Sequence, residues 1–527
     1  MIEILLKNNS GFKWFRQDDI SFKGYFKIHD NFTNSNNPYS INTKIKNQDD
    51  FLSFLHEANG FFAIVKEDAK NIFAAVDRVR SIPLFYGKKN GQFYLSDDAH
   101  WIREKVNDQD VDEVSKTEFL LTGYVTGKDT LYPNVKQLQA GEYLIYNKET
   151  KSLVTEQYFQ FRHSNFYDTS NEELISLLDQ VHVNVFKRLV ESLDGRTAVV
   201  PLSGGYDSRL IVVMLKRLGY ENVICFSYGK EGNKESTVSK KVADFLGYQW
   251  IFIPYTKERW HKWYRSEEKQ SYYRYADGLS SLPHIQDIIA VSELKERNLI
   301  PKDSIFIPGH SGDFVAGSHI PTSFVGRNSI SYKKLTNEIF KKHYSLWSLE
   351  KNGNNFKERF KEKIYSNIPK KPVYSIEEAA DLFECWDWAE RQAKFICNSV
   401  RVYDFLDYEW RMPLWDNEIM AFWSRIKMNN RISRKLYFDY VNRMQSDFAF
   451  IEKNKEDSSF TKNGKNLIKT FSFIYSLLSR FLKLKQYNSH PLQMHGIVDK
   501  EEYIKSVLGG MESINSILTA HYLESNL

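Results

Sequence analysis

At 198–210 the chain reads AVVPLSGGYDSRL, an apolar run broken by two glycines and followed at once by residues suited to a helix. Ala198, Val199, Val200, Pro201 and Leu202 have the composition of a short buried strand, and Ser203-Gly204-Gly205 cannot continue it. Adjacent glycines let backbone amides approach an anion without interference from Cβ. A helix opening near Tyr206 adds unpaired first-turn N–H groups and the positive end of its dipole at the same spot. The chemistry is that of a phosphate cradle. No Gly-Lys-Ser/Thr closes it, so it is not of the Walker type, and Asp207 stands where a carboxylate would reach a metal on the bound phosphates.

Such a cradle needs a parallel sheet behind it. The run NVICFSY at 222–228 reads as a second strand, and 236–246 carries Val238, Val242, Ala243, Phe245 and Leu246 at helical spacing before Gly247. A third strand follows at 250–254. Strands and helices alternating at these lengths predict a doubly wound parallel sheet, which binds ligands outside the carboxyl ends of its strands. The segment FIPGHSGDFVAG at 306–317 repeats the pattern of strand, glycines and carboxylate. The polar stretch 161–172 predicts a domain boundary before a helix beginning near Glu173. From 255 to 300, Trp260, Trp263, Tyr264, Tyr272, Tyr273 and Tyr275 suit packing of a helical insertion better than stacking of single-stranded nucleic acid. The polar, basic stretch 354–371 reads as a surface loop or linker.

The string Ser203-Gly204-Gly205-Tyr206-Asp207-Ser208 resembles the S-G-G-x-D-S pyrophosphate loop of ATP pyrophosphatases, and among them the asparagine synthetases. The 306–317 segment is similar to the family's G-E-G-x-D-E: Gly309 and Asp313 keep the pattern, while His310 replaces a glutamate, Ser311 a glycine and Phe314 an acid. YEWRMPLWD at 408–416 resembles v-E-x-R-x-P-F-L-D, with Glu409, Arg411, Pro413 and Asp416 in place, and the run after it aligns Lys435 with the catalytic lysine. By this resemblance Leu202, Ser203, Gly204, Gly205, Asp207, Ser208 and Gly309 hold ATP, with Leu202 and Tyr228 on the adenine side. Asp207 and Asp313 bind Mg²⁺, and Lys435 neutralises the α-phosphate and the leaving pyrophosphate. His310 and Glu409 are implied on two loops facing the acyl carbon, His310 as a base with an apparent pKa of roughly 6 to 7. His310 as a structural loop residue, and Arg434 or Lys435 as mere solvation of a helix end, remain the alternatives. Asp277 and His284 fall where the family builds its acceptor pocket.

Upstream, NGFFAIV at 59–65, AAVDRVRSIPLFY at 74–86 and FYLSDDA at 93–99 resemble strands of the family's glutaminase domain. Glutamine-dependent members start on a cysteine. This chain reads Met1-Ile2-Glu3-Ile4, and its three cysteines are Cys225, Cys385 and Cys397. The stretch between Tyr25 and Asp50 is also short and polar for glutamine-binding loops, so the scaffold is expected without its glutaminase chemistry.

The expected fold is α/β: an Ntn-hydrolase-like αββα sandwich over 1–165, an adenine nucleotide alpha-hydrolase-like synthetase domain over 166–455, and a helical extension over 456–527. The expected activity is ATP-dependent, AMP-forming amide synthesis from a small-molecule carboxylate and ammonia or an amine donor. Aspartate and a uronic acid of surface-polysaccharide assembly are the two carboxylate classes, and a non-catalytic scaffold is the non-enzymatic alternative. The resemblance allows a separate glutaminase subunit and a homodimer. A formal net charge of +5 over 527 residues argues against nucleic acid as the main partner. Three cysteines without metal-like spacing, and no long apolar run, suggest a cytoplasmic protein. The segment 462–485 has basic residues, no acidic ones and an apolar cluster, which suits either a helix at a membrane surface or one packed on the synthetase domain.

Overall fold

The computed structural model describes residues 2–8, 11–29, 31–34, 45–352, 354–446, 483–484 and 487–526. In the first domain, two-residue periodicity sorts side chains between two cores. On Asn59–Glu67, Phe62 and Ile64 face one side of the sheet and Ala63 and Val65 the other. Helix Gln48–Glu57, capped by Asn47, covers the first face with Phe51, Phe54 and Leu55. The antiparallel sheet runs Leu153–Gln157, Glu142–Asn147, Asn71–Val76, Asn59–Glu67, Ile20–Ile28 and Trp14–Gln17, with Asn31–Asn34 paired to Ile20–Ile28. Its other face packs on a smaller sheet ordered Ile2–Leu5, Gln92–Ser96, Phe85–Lys89 and Val135–Gln137. Helix Ala99–Val106 lies on that sheet where Gly87 permits close approach, since a Cβ there would sit 2.8 Å from Ile102 and Val106. The layers are helix, sheet, sheet, helix, the expected αββα sandwich.

The second domain is built on five parallel strands ordered Gln249–Pro254, Val223–Gly229, Ala198–Pro201, Ile305–Phe306 and Glu409–Trp410. The direction of winding reverses between Ala198–Pro201 and Ile305–Phe306, so the loops after these two strands diverge at the switch point. Helix Asn171–Leu193 opens on a capping box of Ser170 and Glu173. Helix Lys234–Leu246 ends at Gly247 in the left-handed region. Trp260 and Trp263, with Tyr272 and Tyr273, are buried in the core as expected.

The two domains share their core. Trp410 of the parallel sheet meets the rings of Phe12 and Phe61 at 5.2 and 5.8 Å. One expectation changes. The stretch 354–371 is not simply loop: it contains helix Lys357–Ser366, whose Phe360 and Ile364 enter a second hydrophobic core with Leu335, Ile339 and Phe383. The last helix, Ile514–Asn526, packs back on the chain, where Tyr522 stacks on Phe119 at 4.9 Å and bonds Asp277. The basic segment 462–485 lies outside the described residues except for Lys483 and Leu484. Among the described residues no helix is long and apolar enough to cross a membrane.

Candidate active site

The cradle forms at the end of Ala198–Pro201. Leu202 is buried and its N–H donates to the Phe226 carbonyl at 2.8 Å, which ties the start of the loop to the neighbouring strand. Two serines then hold the turn. Ser208 Oγ accepts the Ser203 N–H at 3.1 Å, and Ser203 Oγ accepts the Gly205 N–H at 3.0 Å. Helix Tyr206–Arg217 starts from Gly205 with no side-chain cap. Its first-turn amides therefore point at the place where an anion would sit.

The loop after Ile305–Phe306 closes onto this helix through glycines. A Cβ on Gly309 would lie 2.9 Å from the Ser208 nitrogen, and one on Gly312 would lie 2.9 Å from Asp207 Cγ and 2.6 Å from Leu414 Cδ1. Only glycine allows that approach, and it brings Asp313 to Asp207. The Asp313 N–H donates to Asp207 Oδ2 at 3.0 Å, and the Tyr437 hydroxyl donates to Asp207 Oδ1 at 2.7 Å. Ser318 Oγ orients Asp313 from the other side at 2.9 Å. Burial, then the charge of Asp313, push the Asp207 carboxyl up to about 7, against the pull of Tyr437, the Asp313 amide and Arg434. Two carboxylates held together in this way have the hard-oxygen chemistry for Mg²⁺. Among the described residues no group of three or more His, Cys, Asp or Glu is placed to hold an ion. The pair thus fits a cation that takes its other ligands from water and phosphate.

The remaining expected residues divide. Lys435 is exposed and opens helix Lys435–Ser446, directly after Ser433 and Arg434 at positive φ. That sharp turn sends Tyr437, rather than Lys435, onto Asp207. Tyr437 carried no signal in the sequence beyond lying two residues past Lys435. Glu409 is not beside His310. It pairs with Ile305 at the start of its strand, level with Ala198, and so lies at the sheet edge opposite the loops. Arg196 grips it at 2.9 and 3.3 Å and Arg411 at 3.0 Å. Although burial raises its pKa, these arginines bring it below the usual carboxylate range. The expected His310–Glu409 pair is therefore replaced by a structural ion-pair cluster.

His310 meets Ser399 instead. Ser399 Oγ donates to the Ile396 carbonyl at 2.6 Å and lies 2.7 Å from His310 Nε2, so Nε2–H donates to it. Burial foremost, with His284 adding to it and Asp287 opposing, lowers the imidazole to about 4, well below the expected 6 to 7. His310 is neutral at neutral pH. The next residue, Ser311, occupies the left-handed region at φ 65° and donates to Gln392 Oε1 at 2.9 Å, inside the π-helix Trp388–Ile396. Tyr228 sits at the carboxyl end of its strand, stacked on Tyr255 at 5.0 Å, with its hydroxyl on Asp287 at 2.6 Å. Asp277 is buried at the domain interface, 2.8 Å from His100 Nε2 and 2.9 Å from the Tyr522 hydroxyl. His284 is close enough to His310 to depress its pKa, and its Nδ1 has no hydrogen-bond partner among the described residues.

Comparison with known proteins agrees with this layout. The family model described as a glutamine amidotransferase domain matches residues 51–159, and that described as asparagine synthase matches residues 189–262. A probable glutamine-hydrolyzing asparagine synthetase of Acanthamoeba polyphaga mimivirus is 28% identical over 211 residues, 37% of this chain and 35% of the viral protein. The match thus spans little more than a third of that curated relative. Among solved structures, the glutamine phosphoribosylpyrophosphate amidotransferase of B. subtilis is 12% identical, with 46% of this chain and 72% of that chain covered at a TM-score of 0.20. The NH3-dependent NAD synthetase of Campylobacter jejuni is 15% identical, with 38% and 89% covered at a TM-score of 0.19. The amidotransferase-type match thus falls in the first domain, and the asparagine synthase-type match spans the end of helix Asn171–Leu193, the phosphate cradle and the next two strands of the second.

Proposed function

We propose that this protein is an ATP-dependent, AMP-forming amide synthetase that activates a carboxylate as its adenylate and passes the acyl group to ammonia or an amine. The observation that carries the reading is the meeting of Asp207 and Asp313 across the switch point, beside an uncapped helix N-terminus. Ser203, Gly204, Gly205 and Ser208 line the triphosphate, while Leu202 and Tyr228 stand on the adenine side. Asp207 and Asp313 hold Mg²⁺, which when bound offsets charge on the phosphates as pyrophosphate leaves. Arg434, whose charge already reaches Asp207, and Lys435 add positive charge from the same turn. His310 gives its Nε2–H to Ser399, so its Nδ1 carries the lone pair, and a neutral imidazole there can take a proton from an attacking amine.

The same histidine favours a second reading of the substrate. Aspartate is the acceptor that the curated relative's name suggests, yet a neutral imidazole replaces the acid in the second loop, which supports a different carboxylate such as a uronic acid. Ammonia would come free in solution or from a separate glutaminase subunit. The test is incubation with ATP, Mg²⁺, ammonium and a panel of carboxylates, with AMP and pyrophosphate measured. Equal AMP and pyrophosphate with one carboxylate, and an amide as product, are expected. ADP and phosphate as products, or no Mg²⁺-dependent ATP binding at all, would overturn the proposal and leave the scaffold reading.

A further inference from the structure

A cavity of about 440 Å³ lies at the domain interface next to a larger one of about 610 Å³, and the two share His100, Arg274 and Asp277. The larger lies between helices Ala99–Val106, Lys257–Tyr264, Glu267–Ala276 and Ile514–Asn526, and no residue of the ATP loops lines it. Four cationic side chains line it: Arg103, Arg265, Lys269 and Arg274. The two carboxylates in its wall are already engaged, Asp277 by His100 and Tyr522, and Glu502 by His521.

Lys269 is only 8% exposed. Its ammonium lies 4.0 Å from the Tyr273 ring centroid and 5.0 Å from that of Tyr264, and among the described residues no carboxylate pairs with it. Burial alone lowers its pKa. Arg103 spends its Nε on the Asp108 carbonyl at 3.1 Å and its plane on the Tyr132 ring at 3.9 Å. Arg265 meets His261 Nδ1 at 2.9 Å. Of the four, among the described residues only Arg274 touches an acid, Glu104 at 3.1 Å, and both of those side chains are exposed.

A buried ammonium without a counter-charge is unfavourable, and together with the three guanidinium groups that line the same cavity it outnumbers the two carboxylates there. Guanidinium forks and a point-charge lysine are the groups that recognise phosphate. The volume falls within the range of small-molecule sites, and Tyr264 supplies an apolar wall. We propose that this cavity binds a phosphorylated small molecule, with Lys269, Arg265 and Arg103 on its phosphate, at a site separate from the ATP loops.

The test is calorimetric titration of the full chain, without ATP, with inorganic phosphate in one arm and glucose 1-phosphate in the other. Tighter binding of the ester assigns an organic phosphate, and equal binding assigns the free anion. Lys269→Met keeps the aliphatic stem and removes the charge, while Arg265→Gln alters an exposed residue that the fold does not need. Each variant is expected to weaken binding about ten- to a hundredfold, the scale of a lost charge-assisted hydrogen bond. Ser208→Ala, in the ATP loop, should leave this binding in place. No saturable binding of either probe would overturn the proposal. So would binding unchanged in Arg265→Gln, or binding abolished by Ser208→Ala. If Lys269→Met does not fold, Arg265→Gln alone decides.

Discussion

Replacing Asp207 with asparagine separates its proposed role as a Mg²⁺ ligand from its place in the hydrogen-bonded loop. The amide keeps one oxygen for the Asp313 N–H and turns its NH2 to the Tyr437 hydroxyl, which can accept as well as donate. The fold should therefore survive. Mg²⁺ loses one of its two protein carboxylates, several kcal/mol of charge stabilisation, or roughly a thousandfold in adenylation rate. The opposite sign is expected for stability without metal. Asp207 in the folded protein titrates near 7 rather than at its ordinary 3.8. Between these values the folded state holds a proton that the unfolded chain has released, so wild type loses stability as pH rises through that window. Asparagine has no such dependence. Metal-free Asp207→Asn should match wild type near pH 4 and exceed it at pH 8 by about 1–3 kcal/mol after solvent screening. Urea melts at the two pH values, with calorimetric ATP binding in the presence and absence of Mg²⁺, measure both effects. The reasoning is refuted if Mg²⁺ strengthens ATP binding equally in the two proteins, or if the variant gains nothing at pH 8.

Tyr437→Phe removes a hydrogen bond to a charged group, about 1.5–3 kcal/mol. The pH midpoint of Mg²⁺-dependent ATP binding should then rise by about 1–2 units, and an unmoved midpoint would detach Tyr437 from Asp207. Gly312→Ala places a Cβ against Leu414 and Asp207, so it should cost about 1–3 kcal/mol in urea melts and weaken Mg²⁺-dependent ATP binding; wild-type values in both would show that the loop does not need its close approach. Burial pushes the thiols of Cys225 and Cys385 up to about 12 and raises that of Cys397 well above its ordinary value. The purified chain should thus release no glutamate from glutamine at a rate comparable with amide synthesis, and such release would expose a nucleophile the structure does not show. With His310 lowered to about 4, amide formation from the adenylate should be flat across neutral pH, and a limb at roughly 6 to 7 would mean that the imidazole is less buried than the Ser399 contact implies.

The parts legible in the sequence are those whose cause is local. Strands Ala198–Pro201, Val223–Gly229 and Gln249–Pro254 are apolar runs bounded by turn residues, and helix Lys234–Leu246 has both an apolar stripe and a glycine stop. The two strands that complete the sheet have two residues each, too few for any period to show. The second core was hidden for a related reason. Phe360 and Ile364 are four residues apart inside a charged stretch, and only Leu335, Ile339 and Phe383 reveal which face they share.

The candidate site follows the same division. The Asp207–Asp313 meeting was readable because each carboxylate travels with its own glycines, and Gly309 and Gly312 do the work of bringing the loops together. Glu409 went wrong because likeness to a motif names a neighbourhood, whereas the ladder with Ile305 decides which end of the sheet a residue occupies. The imidazole of His310 is set first by its burial and then by Asp287 and His284, while its contact is Ser399, and these three residues spread over more than a hundred positions. Ser311 makes the point most sharply. A serine at positive φ is strained where glycine would not be, and the sequence alone makes it look like a defect in the loop. The hydrogen bond to Gln392, 81 positions away, offsets that strain and ties this loop to a π-helix whose Glu390 accepts the Gly127 N–H of the first domain. The departure from the glycine pattern thus has its compensation in a segment that no scan of the loop itself would reach, and through that segment the amidotransferase-type domain supports the loop that carries Asp313.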